Sequence, residues 1–176
     1  MTTAKGHQPV FGMYDWPDAP EDMLLEYVLA NHRGFGAHPV PGYPDDPTGA
    51  SNKPDQIPNE FVEHCKDVIE IMGYRPCDRW RYWCSIIRME QKQAEDPWAQ
   101  GFPHTHGWDG LTLVHYIQVP HKGGALVIRD HNREVIKKFT PEVGKTAVID
   151  GRTEHGVERV YGDVPRVTVI ATGYFD

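Results

Sequence analysis

Two histidines in the segment 102–110, FPHTHGWDG, are the first residues whose types and spacing could do chemistry. His104 and His106 are separated by one residue, and Asp109 follows three residues later. In an extended chain, residues i and i+2 point to the same side, so both imidazoles can approach one ion. Imidazole nitrogen suits Fe(II), Zn(II) or Cu. The pair alone is a weak signal, because two histidines in a turn rich in glycine and proline can simply face water.

A third histidine, His155, lies in VIDGRTEHGVERV, just after a predicted strand. A β-sandwich could bring it beside the first pair, and three imidazoles on one face of an ion leave its other positions open. Two ligand sets are possible, either His104, His106 and His155, or His106, Asp109 and His155 with a tight turn through Gly107. Taken alone, His155 could also be an ordinary turn histidine.

Arg166 is a lone cation that enters an apolar strand in GDVPRVTVIATGYF, with Thr168 two residues later on the same face. If its side chain points into a barrel it needs an anion, since an unpaired buried charge is costly, and its planar fork matches a carboxylate. The alternative is a surface arginine on the solvated face of an edge strand.

Two helices are predicted in the N-terminal part of the chain. Residues 20–34 begin with proline and acidic residues and end at Gly34, and residues 59–73 are opened by Asn59 as cap and closed by Gly73. Apolar side chains recur at helical spacing in both segments, at Met23, Leu24, Tyr27 and Val28 in the first and at Phe61, Val62, Cys65, Val68, Ile69 and Met72 in the second. Residues 39–58 carry six prolines and predict a long surface loop, which could cover a site.

Further along the chain the apolar period changes from 3.6 to 2. Seven short segments rich in β-branched and aromatic residues predict strands, namely RWRYWCSIIRM, LTLVHYIQV, ALVIRD, EVIKKF, TAVID, HGVERV and RVTVIATGYF. Strands this close together cannot alternate with helices. We therefore expect a mostly β fold, an antiparallel sandwich or barrel with the helices packed outside. A single domain is expected over 1–176, with a helical and loop part at 1–75 and a β core at 76–176.

Composition excludes several classes of partner. The 18 basic and 25 acidic residues give a net charge of −7, which argues against general binding to nucleic acid or to anionic membranes. No window has the apolar length of a membrane span or a secretory signal. The three cysteines, Cys65, Cys77 and Cys84, form no CxxC pair, so reduced thiols in a cytoplasmic protein are expected.

The order of these pieces resembles the Fe(II)/2-oxoglutarate-dependent dioxygenases, in particular the prolyl-4-hydroxylase-like branch and its small bacterial and phage relatives. The matching pieces are HxH, the strand LTLVHYIQVP, GGALVIRD, a distal His155, and Arg166 in a closing strand that ends GYF. The resemblance covers about residues 80–176. It implies a double-stranded β-helix, or jelly roll, as the core.

The resemblance also implies roles for individual residues. His104, His106 and His155 match the positions of the three metal ligands. Arg166 matches the residue that pairs with the far carboxylate of 2-oxoglutarate, with Thr168 beside it.

Three further positions follow from the same resemblance. Tyr116 matches a tyrosine whose hydroxyl often contacts that cosubstrate. Gly123 and Gly124 match a GG pair where a side chain would hinder a tight turn or close packing.

One departure from the family pattern concerns the second ligand. The common motif is HxD, whereas this chain has His106 at that position and its nearest carboxylate is Asp109. Some small relatives carry HxH, so we expect the three-histidine set, with Asp109 as the alternative ligand. Members that lack the carboxylate ligand can halogenate, but nothing beyond the missing HxD favours halogenation here.

The implied function is an Fe(II) and 2-oxoglutarate-dependent oxygenase that uses O2 to hydroxylate a small molecule or peptidyl substrate. Trp108, beside the ligands, is the best candidate for the substrate pocket. One alternative is a cupin-like metalloenzyme that does not use 2-oxoglutarate, although the glutamate that cupins place after HxH is absent at Gly110 and Leu111. Another is a non-catalytic β-sandwich that binds no metal.

Overall fold

The computed structural model describes residues 10–31, 57–75, 80–87 and 110–174, and these contain two helices and ten strands. The helices are α1 (Glu21–Asn31) and α2 (Asn59–Ile71). The strands are β1 (Phe11–Asp15), β2 (Trp80–Ile87), β3 (Gly110–Gln118), β4 (Lys122–Gly123), β5 (Leu126–Arg129), β6 (Val135–Phe139), β7 (Lys145–Asp150), β8 (Glu154–Val157), β9 (Val160–Tyr161) and β10 (Arg166–Tyr174).

The strands form two facing antiparallel sheets and one short strand pair. The larger sheet has the order β1-β7-β3-β10-β2, the smaller sheet has the order β6-β5-β8, and β4 pairs with β9. One apolar cluster joins the two sheets, because it includes Tyr116 and Ile170 from the larger sheet and Ile128 and Val157 from the smaller one. The predicted mostly β, antiparallel architecture is confirmed.

The other face of the larger sheet is covered by the two helices. A second apolar cluster joins Leu24 and Val28 of α1, Phe61 and Val68 of α2, and Leu113 of β3. Side chains alternate between the two faces of a strand, so a strand buried on both faces has no solvated row. This explains why β3 is buried over nearly its whole length.

Both predicted helices are present, with two corrections. The N-cap of α2 is Pro58, and no side chain caps the helix, so the prediction of Asn59 as cap is wrong by one residue. Met23 was expected on the buried stripe of α1, but it is 43% exposed while Leu24 and Val28 are fully buried. Gly73 does follow the end of α2, where its φ of +85° suits glycine.

All seven predicted strands are present, but the structure contains three more. The additional strands are β1 and the short pair β4 and β9. HGVERV, expected as one strand, is divided between β8 in the smaller sheet and β9 in the short pair. Of the predicted loop at 39–58, residues up to 56 lie outside the described ranges. Within those ranges no helix has the length and hydrophobicity needed to cross a membrane.

A chain of hydrogen bonds connects the helices to the larger sheet. The Oγ1 atom of Thr146 on β7 lies 2.8 Å from Nε2 of His64 on α2 and 2.9 Å from Nδ1 of His115 on β3. Nε2 of His115 lies 3.2 Å from a carboxylate oxygen of Glu21 on α1. The indole ring of Trp16 stacks on His64 at a centroid distance of 4.1 Å.

The acceptors in this series of hydrogen bonds determine where each proton lies. A carboxylate accepts, so Nε2–H of His115 donates to Glu21, and in a neutral ring Nδ1 accepts from the Thr146 hydroxyl. Thr146 in turn accepts from Nε2–H of His64. Burial, with the neighbouring His115 as a smaller cause, lowers the pKa of His64 from 6.5 to about 4. Neutral His64 is therefore part of the native packing.

The low pKa of His64 predicts a loss of stability in mild acid. Because the unfolded chain binds this proton at a higher pH than the folded one, the contribution is complete above pH 6.5 and is lost as the pH falls towards 4. We expect His64→Phe to reduce the fall in unfolding free energy over this interval by about 2 kcal/mol. Urea unfolding at several pH values measures this fall in unfolding free energy. His131→Phe, at an exposed position, should leave the pH dependence unchanged, and an equal pH dependence in His64→Phe and wild type would contradict the assignment.

Candidate functional site

Arg166, the first residue of β10, is a buried cation between the two sheets. Its side chain is only 2% exposed, and no carboxylate pairs with it in the described part of the chain. Nε donates to the carbonyl oxygen of Gly124 at 3.0 Å, and the guanidinium lies over the ring of Tyr116 with Cζ 5.1 Å from the centroid. A buried charge with this limited compensation is costly unless an anion joins it.

Two buried hydroxyl groups lie on the same interior face as Arg166. Tyr116 on β3 is directly opposite Thr168 on β10 in the strand register, and both residues are fully buried. Oγ1 of Thr168 has no hydrogen-bond partner among the described residues, and Oη of Tyr116, which also lacks one of normal geometry there, interacts with the Arg166 guanidinium. Leaving a buried hydroxyl unsatisfied costs about 1–3 kcal/mol, so such groups are expected where a ligand will bind.

The electrostatics of this group favour an anionic ligand. Burial raises the pKa of Tyr116, and the nearby Arg166 only partly opposes this effect, so the phenol stays neutral. Burial lowers the pKa of Arg166, yet a guanidinium keeps its charge in proteins. The guanidinium of Arg166 therefore has two hydroxyl donors beside it in this part of the interior. A carboxylate could accept from all three groups.

Of the glycine pair before β5, Gly124 makes room for this arginine. Gly124 has a φ of +74°, and a Cβ atom there would lie 3.1 Å from Cδ of Arg166. Gly123 has a φ of +81°, and its Cβ would lie 1.8 Å from the carbonyl oxygen of Arg159. Close packing is thus the reason for both glycines, as the sequence suggests.

His155 lies on β8 of the facing sheet, and its side chain is 5% exposed. It occupies the same face as Val157, which belongs to the apolar cluster between the sheets. Its Nδ1 donates to the carbonyl oxygen of Thr153 at 2.8 Å. In a neutral ring, Nε2 then carries the lone pair that a metal ion would require.

The remaining predicted site residues, His104, His106, Trp108 and Asp109, lie outside the described residues. Among the residues that are described, no three His, Cys, Asp or Glu side chains come together as metal ligands. The structure therefore brings Arg166, Tyr116 and Thr168 together, and it places one of the predicted ligands on the opposite sheet.

Several solved structures share this arrangement of sheets and helices. A prolyl-4-hydroxylase from Pseudomonas putida aligns with a TM-score of 0.61 and 12% identity over 94% of this chain and 92% of that one. The fold is that of the prolyl hydroxylases. A viral collagen prolyl hydroxylase from Paramecium Bursaria Chlorella virus-1, as a complex with 2OG, aligns with a TM-score of 0.57 and 13% identity over 94% of this chain and 96% of that one.

A third structure of this kind is a prolyl hydroxylase from Trichoplax adhaerens in complex with a peptide fragment of the hypoxia inducible factor oxygen degradation domain. It aligns with a TM-score of 0.57 and 13% identity over 93% of this chain and 83% of that one. No protein-family model and no curated protein sequence matches the chain. At this low identity the likeness establishes a jelly-roll fold, in agreement with the sequence prediction.

Sequence reasoning missed the residues that hold the turn before His155. The carboxylate of Asp150 accepts hydrogen bonds from the backbone nitrogen of Thr153 and from its hydroxyl. The signal was present, because Asp followed three residues later by Thr is typical of turns closed by a side chain.

The unpartnered hydroxyl of Thr168 predicts an unusual effect on stability. Thr168→Val removes a buried group that has no partner, so we expect the free energy of unfolding of the ligand-free protein to rise by about 1 kcal/mol. Thr172→Val is the matched control, since it is the same change on the same strand, but Oγ1 of Thr172 lies 3.1 Å from Oγ1 of Thr112. That variant should lose stability by a similar amount. Urea unfolding measures the free energy of unfolding of the two variants. A clear loss of stability in Thr168→Val would mean that the Thr168 hydroxyl has a structural partner.

Proposed function

We propose that this chain is a non-heme Fe(II) oxygenase that uses 2-oxoglutarate and O2 to oxidise, with hydroxylation as the expected reaction, a small molecule or peptidyl substrate. One observation carries the proposal: a buried guanidinium without a carboxylate partner among the described residues has two buried hydroxyls beside it, inside a jelly roll whose facing sheet carries a buried histidine. Bound iron and 2-oxoglutarate would supply the activation of O2, which no protein side chain can supply.

In this proposal the residues of the larger sheet bind the cosubstrate. Arg166 transfers no proton and forms no covalent bond. It provides the positive charge and the planar donors for the far carboxylate of 2-oxoglutarate. Tyr116 and Thr168 donate their hydroxyls to the same end, and the neutral state of Tyr116 keeps it a donor. The group therefore orients the cosubstrate and shields one end of it from water.

The metal ligands are proposed as His104, His106 and His155. His155 meets the requirement of a ligand, because its Nδ1–H is already bonded to a backbone carbonyl and its orientation is thereby restricted. The alternative set replaces His104 with Asp109. With three neutral imidazoles the ion would keep its full double positive charge, and the dianionic cosubstrate would neutralise it.

Anaerobic titration tests the function directly. Adding Fe(II) and then 2-oxoglutarate to the purified apoprotein should produce a weak visible charge-transfer band. Arg166→Ala should weaken 2-oxoglutarate binding by at least tenfold while it leaves Fe(II) binding nearly unchanged, since it removes a charged hydrogen-bond donor. Arg133→Ala, at a side chain that is 79% exposed, is the control.

The other outcomes of this titration identify the other functions. Metal binding without the band would favour a cupin-like metalloenzyme that does not use 2-oxoglutarate. Failure to bind metal at all would favour a non-catalytic β-sandwich binding module. Equal loss of Fe(II) and 2-oxoglutarate binding in Arg166→Ala would mean that Arg166 is structural.

Asp109→Ala distinguishes the two ligand sets. The three-histidine set predicts that this variant retains Fe(II) binding and turnover, whereas the Asp109 set predicts that both fall by orders of magnitude. The same anaerobic titration, followed by an assay of 2-oxoglutarate consumption, measures them. His104→Ala is the complementary variant, because the two sets predict opposite results for it.

Two further observations bear on the substrate, namely a peptide bound in one structure of this fold and the net charge of this chain. One of the solved structures with this fold holds a peptide fragment, which favours a peptide within the proposed range. The net charge of −7 disfavours polyanionic substrates.

A further inference from the structure

Asp150, the last residue of β7, gathers four hydrogen bonds on a buried carboxylate that is 8% exposed. Its Oδ1 accepts from the backbone nitrogens of Arg152 at 2.9 Å and Thr153 at 3.0 Å. Its Oδ2 accepts from the Thr153 hydroxyl at 2.7 Å and from the backbone nitrogen of Val10 at 2.6 Å. Only an ionised carboxylate can accept from four donors at these positions. The turn between β7 and β8 is therefore organised around this one side chain.

The turn leads directly to His155. Thr153 is 2% exposed, and its carbonyl oxygen accepts the hydrogen bond from Nδ1 of His155. A carbonyl can only accept, so this contact requires the proton on Nδ1, and in a neutral ring the lone pair is then on Nε2. Asp150 thus controls the direction of the Thr153 carbonyl, and that carbonyl controls both the ring orientation and the tautomer of His155.

The same turn is bonded to the start of β3. The backbone nitrogen of Gly151 donates to the carbonyl oxygen of Gly110 at 2.8 Å, and Asp150 pairs with Leu111 in the strand register. Gly110 follows immediately after the segment that carries His104 and His106. Displacement of this turn would therefore move His155 relative to the point where that segment enters the sheet.

We infer that Asp150 is a positioning residue for His155, holding its imidazole with the proton on Nδ1 and the lone pair on Nε2, the atom that would bind a divalent cation. The metal-binding half of this inference rests on the proposed function, whereas the control of the tautomer does not. Partners of this kind behind a ligating histidine typically change metal affinity by about 10- to 100-fold when they are removed.

The variant Asp150→Asn tests the inference with little change in volume. An amide has one accepting oxygen, and its NH2 group cannot accept from the backbone nitrogen of Val10 or from other donors. We expect Co(II), used as the probe, to bind about tenfold more weakly in an anaerobic titration. In the metal-free protein, ring ¹⁵N chemical shifts should show His155 protonated at Nδ1 in wild type and a mixture of tautomers in the variant.

Asp130→Asn is the matched control. Oδ1 of Asp130 accepts from the backbone nitrogens of Asn132 at 2.8 Å and Glu134 at 3.0 Å, in the turn between β5 and β6. This is the same use of an aspartate in a turn, but none of its bonds reaches His155. We expect wild-type Co(II) affinity and the wild-type tautomer in this variant.

Each outcome decides the inference. If folded Asp150→Asn keeps the Nδ1–H tautomer and the wild-type Co(II) affinity, Asp150 merely stabilises the turn and the inference is wrong, even if the melting temperature falls. If Asp150→Asn does not fold, Thr153→Val removes one of the four bonds and should shift the tautomer in the same direction, and no shift would overturn the inference. If wild type binds no Co(II), the proposed metal site fails, and the tautomer measurement alone then decides the role of Asp150.

Discussion

A positive charge without a carboxylate partner among the described residues lies between the two sheets, and the arrangement of the site depends on it. Desolvation of a guanidinium costs several kcal/mol. Among the described residues, the hydrogen bond to the Gly124 carbonyl and the contact with the face of the Tyr116 ring offset only part of this cost. A carboxylate ligand, as proposed above, would supply the remaining compensation. Fixed charges prepared in this way need little reorganisation when the ligand binds.

The two halves of the site belong to different sheets. Arg166, Thr168 and Tyr116 are on the larger sheet, and His155 is on the smaller one. The apolar cluster between the sheets determines their separation, and the turn at Asp150 links β7 to β8 along one edge. The helices support the opposite face of the larger sheet, where neutral His64 and His115 share the Thr146 hydroxyl. Packing against the helices thus supports the face of the larger sheet that carries the candidate site.

Periodicity predicted most of the fold, because burial on one or two faces leaves a repeat of 3.6 or 2 in the apolar residues. It failed for β4 and β9, which have two residues each, and for β1, which is half-buried along most of its length and so shows no alternation of buried and exposed residues. It also predicted HGVERV as one strand, since a local pattern does not reveal that the chain changes sheets. Arg166 was recognisable because a lone cation in an apolar strand is unusual. Asp150 was not, because its importance depends on donors as distant in sequence as Val10.

Because both faces of the larger sheet are buried, neighbouring residues on one strand pack in different environments. On β3, His115 contacts α1 and β7 on the helix side, while Tyr116, next to it in the chain, faces the guanidinium. On β10, Val167 and Val169 belong to the helix-side core, and Thr168 between them faces the site. Alternate residues of the same strand therefore serve different purposes, one set packing against the helices and the other lining the candidate site.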